Sequence, residues 1–427
     1  MRTQITGKPT GVAWLRVTML SVLIAAGFSD PLQKTMAAQG GHVQAPRFEV
    51  DPYWPRPLPN NTIMGNVVGV TADAQNNILI LQRPDTVDRS LTAATTDPPP
   101  VDPKQSKGNR MEIADKWVRS AIKPDGSCCS PFPSFILQYD QAGTLLRHFG
   151  GPPPGYGDEW PYFAHGIHVD HKGNLWIASN GETDSRVLKF DKVGKFLLAI
   201  GTRGVRGDSN DTKNLGSPSA AMVDPATNEV YISDGSLNRR IIVFDAETGQ
   251  YKRHWGAYGN KPDDTRFTYD PAAPPATQFN SPHCAMLSKD GLVYVCDWQN
   301  NRVQVFRKDG TFVKEGFVER ATPRGGTVWG IAFSRDPQEQ YLYVSDGSAN
   351  RKIHILRRDT LEVLTSIGSG GRQPGQFLGS MHNIATDAKG NLYVTEIGPG
   401  YRVQRFLFKG VGSVSRSQGV LWPRSSQ

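Results

Sequence analysis

Short apolar runs with alternating polar positions, separated by Asp, Gly and Asn, recur along the chain from Gly69 onward. One unit, HGIHVDHKGNLWIASNGETDSRVLKFDKVGKFLLAIG, runs from His165 to Gly201. It contains a strand ending in Val-Asp, a Lys-Gly-Asn turn, a second strand, a polar loop, Arg-Val-x-x-Phe and a closing Gly. Period-two alternation over short runs marks half-buried strands, and Gly-Asn pairs supply the turns between them. The unit returns from Ala220 (AAMVDPATNEVYISDG), Cys284 (CAMLSKDGLVYVCDW), Gly330 (GIAFSRDPQEQYLYVSDG) and Asn383 (NIATDAKGNLYVTE). A further copy opens at Gly69 (GVTADAQNNILILQR), and its outer strands resume after a long insertion at PSFILQYDQAGTLLRHFG.

Four short strands repeated at a period of about 40 residues describe one propeller blade. Six copies therefore predict an all-β, six-bladed β-propeller, because a blade cannot bury both faces alone. First strands are expected near 66–72, 165–169, 219–223, 283–287, 329–333 and 382–386. The propeller is expected to span 46–412, with a loop insertion at 91–129 and a tail at 413–427. The RFEVD segment, Arg47 to Asp51, is the candidate for the outer strand that closes the ring.

Composition agrees with many short strands: glycine (44) and proline (31) are abundant. The formal charge of +8 suggests a nucleic-acid partner at first sight. The first 38 residues carry four bases (Arg2, Lys8, Arg16, Lys34) and one acid (Asp30), so +3 of that charge lies there and +5 on the rest. The remainder is unclustered, which fits a solvated surface and no nucleic-acid partner. Residues 1–38 read as an export segment: bases precede the apolar run VTMLSVLIAAGF, and small residues follow at Thr35, Ala37 and Ala38. The run is short for a membrane span. A cleaved signal and an uncleaved anchor both remain open, and no later segment is apolar enough to cross a bilayer. A periplasmic or secreted location follows.

In that oxidising setting, Cys284 and Cys296 flank the Lys289–Asp290–Gly291 turn symmetrically and are expected to bond across a hairpin. Cys128 and Cys129 are adjacent, and can form a vicinal disulfide or stay as thiols. No Cys-based metal spacing occurs.

The strongest chemical signal comes from register. The first strand of each blade lines the channel and ends at Asp73, Asp170, Asp224, Ser288, Ser334 or Asp387. Five positions earlier stand Val68, His165, Ser219, His283, Trp329 and His382. Histidine thus occupies every second blade, and three such rings converge on one axis at about 120° to one another. Three imidazoles with an open fourth position describe a catalytic zinc site; the alternative is three buried, hydrogen-bonded histidines without metal. His168 and His171 are expected as surface or strand residues, and His42, His148, His254 and His354 point to no particular role.

These features together resemble the NHL-repeat propellers, and in particular the peptidyl-α-hydroxyglycine α-amidating lyases and their bacterial relatives. The likeness covers about Phe48 to Lys409. It rests on the repeat, on AHGIHVD, SPHCAML and SMHNIAT around the three histidines, and on ILQRPD. The resemblance implies cleavage of a peptide's C-terminal α-hydroxyglycine into an amide and glyoxylate. It implies zinc on His165, His283 and His382, an active-site arginine at Arg83, and a channel calcium at Val70, Ile167 and Asn383. Zinc polarises a hydroxyl, and a guanidinium holds a carboxylate bidentately. The sequence departs from the family at three places: Ser236 stands where the catalytic tyrosine falls, Trp298 where a second arginine falls, and Asn383 where an aspartate follows the third histidine. Serine is a poor base, and Asn offers calcium an oxygen without charge. Tyr401, in the matching loop of the last blade, is an alternative phenol. The competing functions are a metal-dependent hydrolase on the same site and a non-catalytic ligand- or protein-binding propeller that uses its loops. A small molecule or a peptide C-terminus is the expected ligand.

Overall fold

The computed structural model describes residues 42–87, 130–151, 159–323, 325–416 and 422–423. The export segment and the whole 91–129 insertion, with Cys128 and Cys129, lie outside the described residues.

Six four-stranded antiparallel sheets form a ring, and the fold is a six-bladed β-propeller. The first strands are Asn66–Ala72, Ala164–Val169, Pro218–Asp224, Pro282–Leu287, Gly330–Phe333 and Met381–Thr386, in blades 1 to 6. Blades 2 to 5 take their four strands consecutively from the chain, whereas in blade 1 the short strand Ser130–Pro131, paired with Thr62–Ile63 in a separate two-stranded sheet, falls between the second and third strands. Blade 6 takes three from the C-terminal region, and Val43–Asp51 pairs antiparallel with Arg402–Val414 to supply the fourth. The expected closing strand is therefore present and longer than RFEVD. It also carries the propeller past residues 46 and 412, because Val43 to Pro46 pair with Val414 to Val411.

The core consists of separate apolar layers between neighbouring blades rather than one central nucleus. Ile177 and Leu188 of blade 2 pack with Val68 and Leu81 of blade 1. Phe48 and Val50 of the closing strand join Ile355 and Tyr343 of blade 5. Alternation produces this arrangement, since each strand presents one set of side chains to each adjacent blade.

The repeated polar residues have two structural tasks. The Asp ending a first strand holds the following turn: Asp170 Oδ1 accepts from the Asn174 N–H at 2.8 Å, and Asp387 Oδ1 from the Asn391 N–H at 3.0 Å. Gly173 and Gly390 fill the left-handed corner of these turns, with φ of 83° and 82°. At the opposite end, the acid closing the second strand is buried and paired with an arginine opening the third. Asp234 meets Arg240 at 2.9 Å and Asp297 meets Arg302 at 2.7 Å. The same carboxylates collect loop N–H groups, Gly216 on Asp234 and Asn280 on Asp297. Blade 1 substitutes Gln82, which accepts from the Gly65 N–H at 2.8 Å.

Cys284 and Cys296 face one another across the first two strands of blade 4 and form a disulfide, with Cα atoms 4.9 Å apart. The bond adjoins His283 and ties its strand to the next.

Candidate metal centre

His165, His283 and His382 come together, and their ligand atoms all lie within 4.8 Å of one another. Ring centroids are 4.5 to 5.1 Å apart. All three residues are buried, at 6%, 6% and 4% exposure. Each ring commits Nδ1 to the backbone carbonyl at the same register position of the next blade. His165 donates to Ser219 at 2.9 Å, His283 to Trp329 at 2.5 Å, and His382 to Val68 at 2.8 Å. These acceptors are the three non-histidine positions of the register series. Alternation around the ring thus supplies one imidazole and one orienting carbonyl per pair of blades. Such bonds fix the tautomer and leave Nε2 as the ligand nitrogen, as outer partners of metal-bound histidines do. Nitrogen–metal bonds of 2.0–2.1 Å in a tetrahedral site put nitrogens about 3.4 Å apart, within the observed spread.

Burial pushes the His283 imidazole down to about 4. Burial, the neighbouring rings and Arg83 hold His165 and His382 well below the ordinary imidazole value. The rings are therefore neutral at pH 7, the form a metal requires. The unfolded chain protonates these histidines near pH 6.5, whereas folded His283 does so near 4. In that window the unfolded state binds more protons, so the metal-free fold loses stability as pH falls. We expect the urea midpoint of the metal-free protein to drop between pH 7 and pH 5, and to drop less in His283→Gln. An equal drop in both proteins would contradict this.

Arg83 closes the second strand of blade 1 and reaches to blade 2. Its Nε donates to the Ala164 carbonyl at 2.6 Å, beside His165, and Nη2 to Asn180 Oδ1 at 3.3 Å. Its guanidinium carbon lies 4.4 Å from the centre of the Phe163 ring. Ser236 is exposed on the loop after the second strand of blade 3. That loop abuts Pro282, the residue before His283. Trp298 follows the second strand of blade 4 with its ring 5.5 Å from that of His283. The Tyr401 hydroxyl packs against Gly398, whose N–H donates to Asn66 Oδ1 at 2.6 Å. Asn66 pairs with Arg83 across blade 1, so this phenol stands over the seam between blades 6 and 1.

Val70 and Ile167 lie on adjacent channel strands, which approach closely at Gly69: a Cβ there would be 2.9 Å from Ile167 Cγ2. Asn383 sits beside His382, and its N–H donates to Thr395 Oγ1 at 2.9 Å.

Two histidines have more structure than the sequence indicated. His354 is fully buried and shares a 3.1 Å contact with Asp346, the blade 5 counterpart of the arginine-paired acids. His148 bonds the Ser134 hydroxyl through Nδ1 at 2.9 Å. His168 lies in a strand, as expected, with a buried Nε2 that has no hydrogen-bond partner among the described residues. His354 falls on a third strand, two residues past the position of Arg240 and Arg402, where no other blade carries a histidine.

Ring, repeat and channel define an NHL-type β-propeller, and the NHL repeat model matches residues 279–306. At the level of family, the chain is similar to the peptidyl-α-hydroxyglycine α-amidating lyases. The peptidyl-alpha-hydroxyglycine alpha-amidating lyase 1 of Drosophila melanogaster is 24% identical over 84% of this chain and 59% of its own length. The peptidyl-glycine alpha-amidating monooxygenase B of Xenopus laevis is 26% identical over 63% of this chain and 26% of its own. The human NHL repeat-containing protein 3 is 28% identical over 64% and 72%. The chain thus spans about three-fifths of the length of the Drosophila relative and about a quarter of the Xenopus one.

Proposed function

We propose that this protein is an exported, zinc-dependent carbon–nitrogen lyase that converts a peptide ending in α-hydroxyglycine into the peptide amide and glyoxylate. The observation that carries the reading is the convergence of His165, His283 and His382, each fixed through Nδ1 by the next blade's carbonyl. The donor set suits zinc: three neutral, buried imidazoles, which would leave a tetrahedral ion one further position to fill. Bound zinc would polarise the substrate hydroxyl and ease its deprotonation. Arg83 takes the substrate carboxylate, fixing the hydroxyl-bearing carbon beside the trio. The hydroxyl proton leaves, the carbon–oxygen double bond of glyoxylate forms, the C–N bond breaks, and the amide nitrogen gains a proton. No oxidant is needed.

Calcium would be held by the carbonyls of Val70 and Ile167 and the side chain of Asn383. That set has no carboxylate, and calcium affinity follows ligand charge. Export rests on the basic, apolar N-terminal segment together with the Cys284–Cys296 disulfide, and gives a periplasmic or secreted protein.

The test is glyoxylate release from an acetylated dipeptide ending in α-hydroxyglycine by the zinc-loaded protein. Release should stop on chelation and return with zinc. Arg83→Ala should raise KM, and Ser236→Tyr should raise kcat, on the order of tenfold, because a positioned phenol is the stronger acid–base group. Stoichiometric zinc with no glyoxylate would remove the lyase reading and leave a hydrolase or a binding propeller.

A further inference from the structure

A pair of tryptophans forms the wall of the site on the side of blades 4 and 5. Trp298 and Trp329 have ring centroids 4.4 Å apart. Trp329 lies 5.7 Å from both His283 and His382, and Trp298 lies 5.5 Å from His283. Trp298 is part-exposed on a loop at the channel mouth, whereas Trp329 is at the edge of burial.

Both indoles are held rigidly. Their Nε1 atoms share the Gly325 carbonyl, at 2.6 Å from Trp298 and 3.1 Å from Trp329. Trp329 Nε1 also donates to the Gly326 carbonyl at 3.0 Å. Glycines pack on their faces: a Cβ at Gly347 would fall 2.7 Å from Trp329 Cδ2, and one at Gly326 would collide with Trp298. A large aromatic side chain held by hydrogen bonds at an open site loses little freedom when a ligand covers it, which favours binding.

Charge distinguishes an apolar occupant from a cation. The acids on these loops point inward: Asp297 to Arg302, Asp346 to His354 and Asn350, Glu396 to Arg402 and two loop N–H groups. Arg83 stands on the blade 1 and 2 side, and the Arg351 guanidinium donates to the Gly347 and Gly379 carbonyls. With these acids turned inward to their own partners and arginines nearby, the wall does not favour a cation over an aromatic ring despite the π faces.

We infer that the Trp298–Trp329 pair is the subsite for an uncharged apolar or aromatic side chain on the residue preceding the cleaved glycine. This deepens the lyase proposal and rests on it for the placement of the substrate: carboxylate at Arg83, reacting carbon at the trio, side chain at the indoles.

Two measurements separate this inference from the lyase reading. The first is kcat/KM for glyoxylate release from acetyl-X-α-hydroxyglycine, with X as Phe, Leu, Glu or Lys. Phe and Leu should exceed Glu and Lys about tenfold, Trp298→Ala should bring the four within about threefold, and Trp298→Phe should keep most of the preference. Zinc content should be unchanged in both variants. The second is calorimetric binding of N-acetylphenylalanine and N-acetyllysine to the zinc-loaded protein, where the first should bind about tenfold tighter and Trp298→Ala should remove the difference. Equal rates for all four peptides would overturn the subsite and leave the lyase standing. No glyoxylate from any peptide, with N-acetylphenylalanine still preferred and Trp298 still required, would overturn the lyase and keep the subsite. Equal binding of the two acids would overturn the subsite whatever the turnover.

Discussion

His283→Ala is expected to lower zinc affinity roughly a thousandfold, because losing one of three ligands costs on the order of 4 kcal/mol at about 1.4 kcal/mol per decade. Glyoxylate release should fall with it. The ring itself should remain folded. The substitution orphans the Trp329 carbonyl, a cost of about 1–3 kcal/mol, but it touches none of the apolar layers between blades. His354→Ala provides the contrast. That histidine is equally buried and bonds Asp346, so its loss should reduce stability and leave zinc content intact. Metal analysis of the two variants beside urea titrations checks both statements. Full zinc occupancy in His283→Ala would contradict the trio.

The second large effect concerns the ring rather than the site. Asp297→Ala should destabilise the protein by about 3–5 kcal/mol, because it removes the fully buried carboxylate from Arg302 and leaves that guanidinium only the part-exposed Glu315 as an ionic partner. Both side chains are 0% exposed, and the carboxylate also holds the Asn280 N–H and the Asn300 amide. Asp290→Ala makes the comparison within the same blade. Its bridge to Arg358 is half in solvent, at 50% exposure of the aspartate, and should contribute only about 0–1 kcal/mol. A midpoint shift in urea no larger for Asp297→Ala than for Asp290→Ala would refute the structural role given to the repeated acid.

The architecture is legible in the sequence because every blade restates it. Val-Asp, Gly-Asn and Arg-Val recur at fixed offsets, so each strand is read several times. The histidines are legible for the same reason: counting back from one landmark residue in every blade puts them in a common frame. What eludes that reading is contact between blades. The carbonyls that orient the trio belong to Ser219, Trp329 and Val68, residues present in the same register series, but side-chain identity gives no information about a backbone acceptor. The tryptophan wall arises because a loop of blade 4 and a first strand of blade 5 meet at one glycine-rich turn. His354 eludes it for a further reason: its acid partner is part of the repeat, whereas the histidine is peculiar to one blade.

Zinc K-edge X-ray absorption of the purified, metal-loaded protein tests the central claim most directly. Bound zinc should show three imidazole nitrogens and one oxygen at about 2.0–2.1 Å, with no sulfur shell. A zinc spectrum with sulfur near 2.3 Å, or one with fewer than three imidazoles, would contradict a site built from His165, His283 and His382.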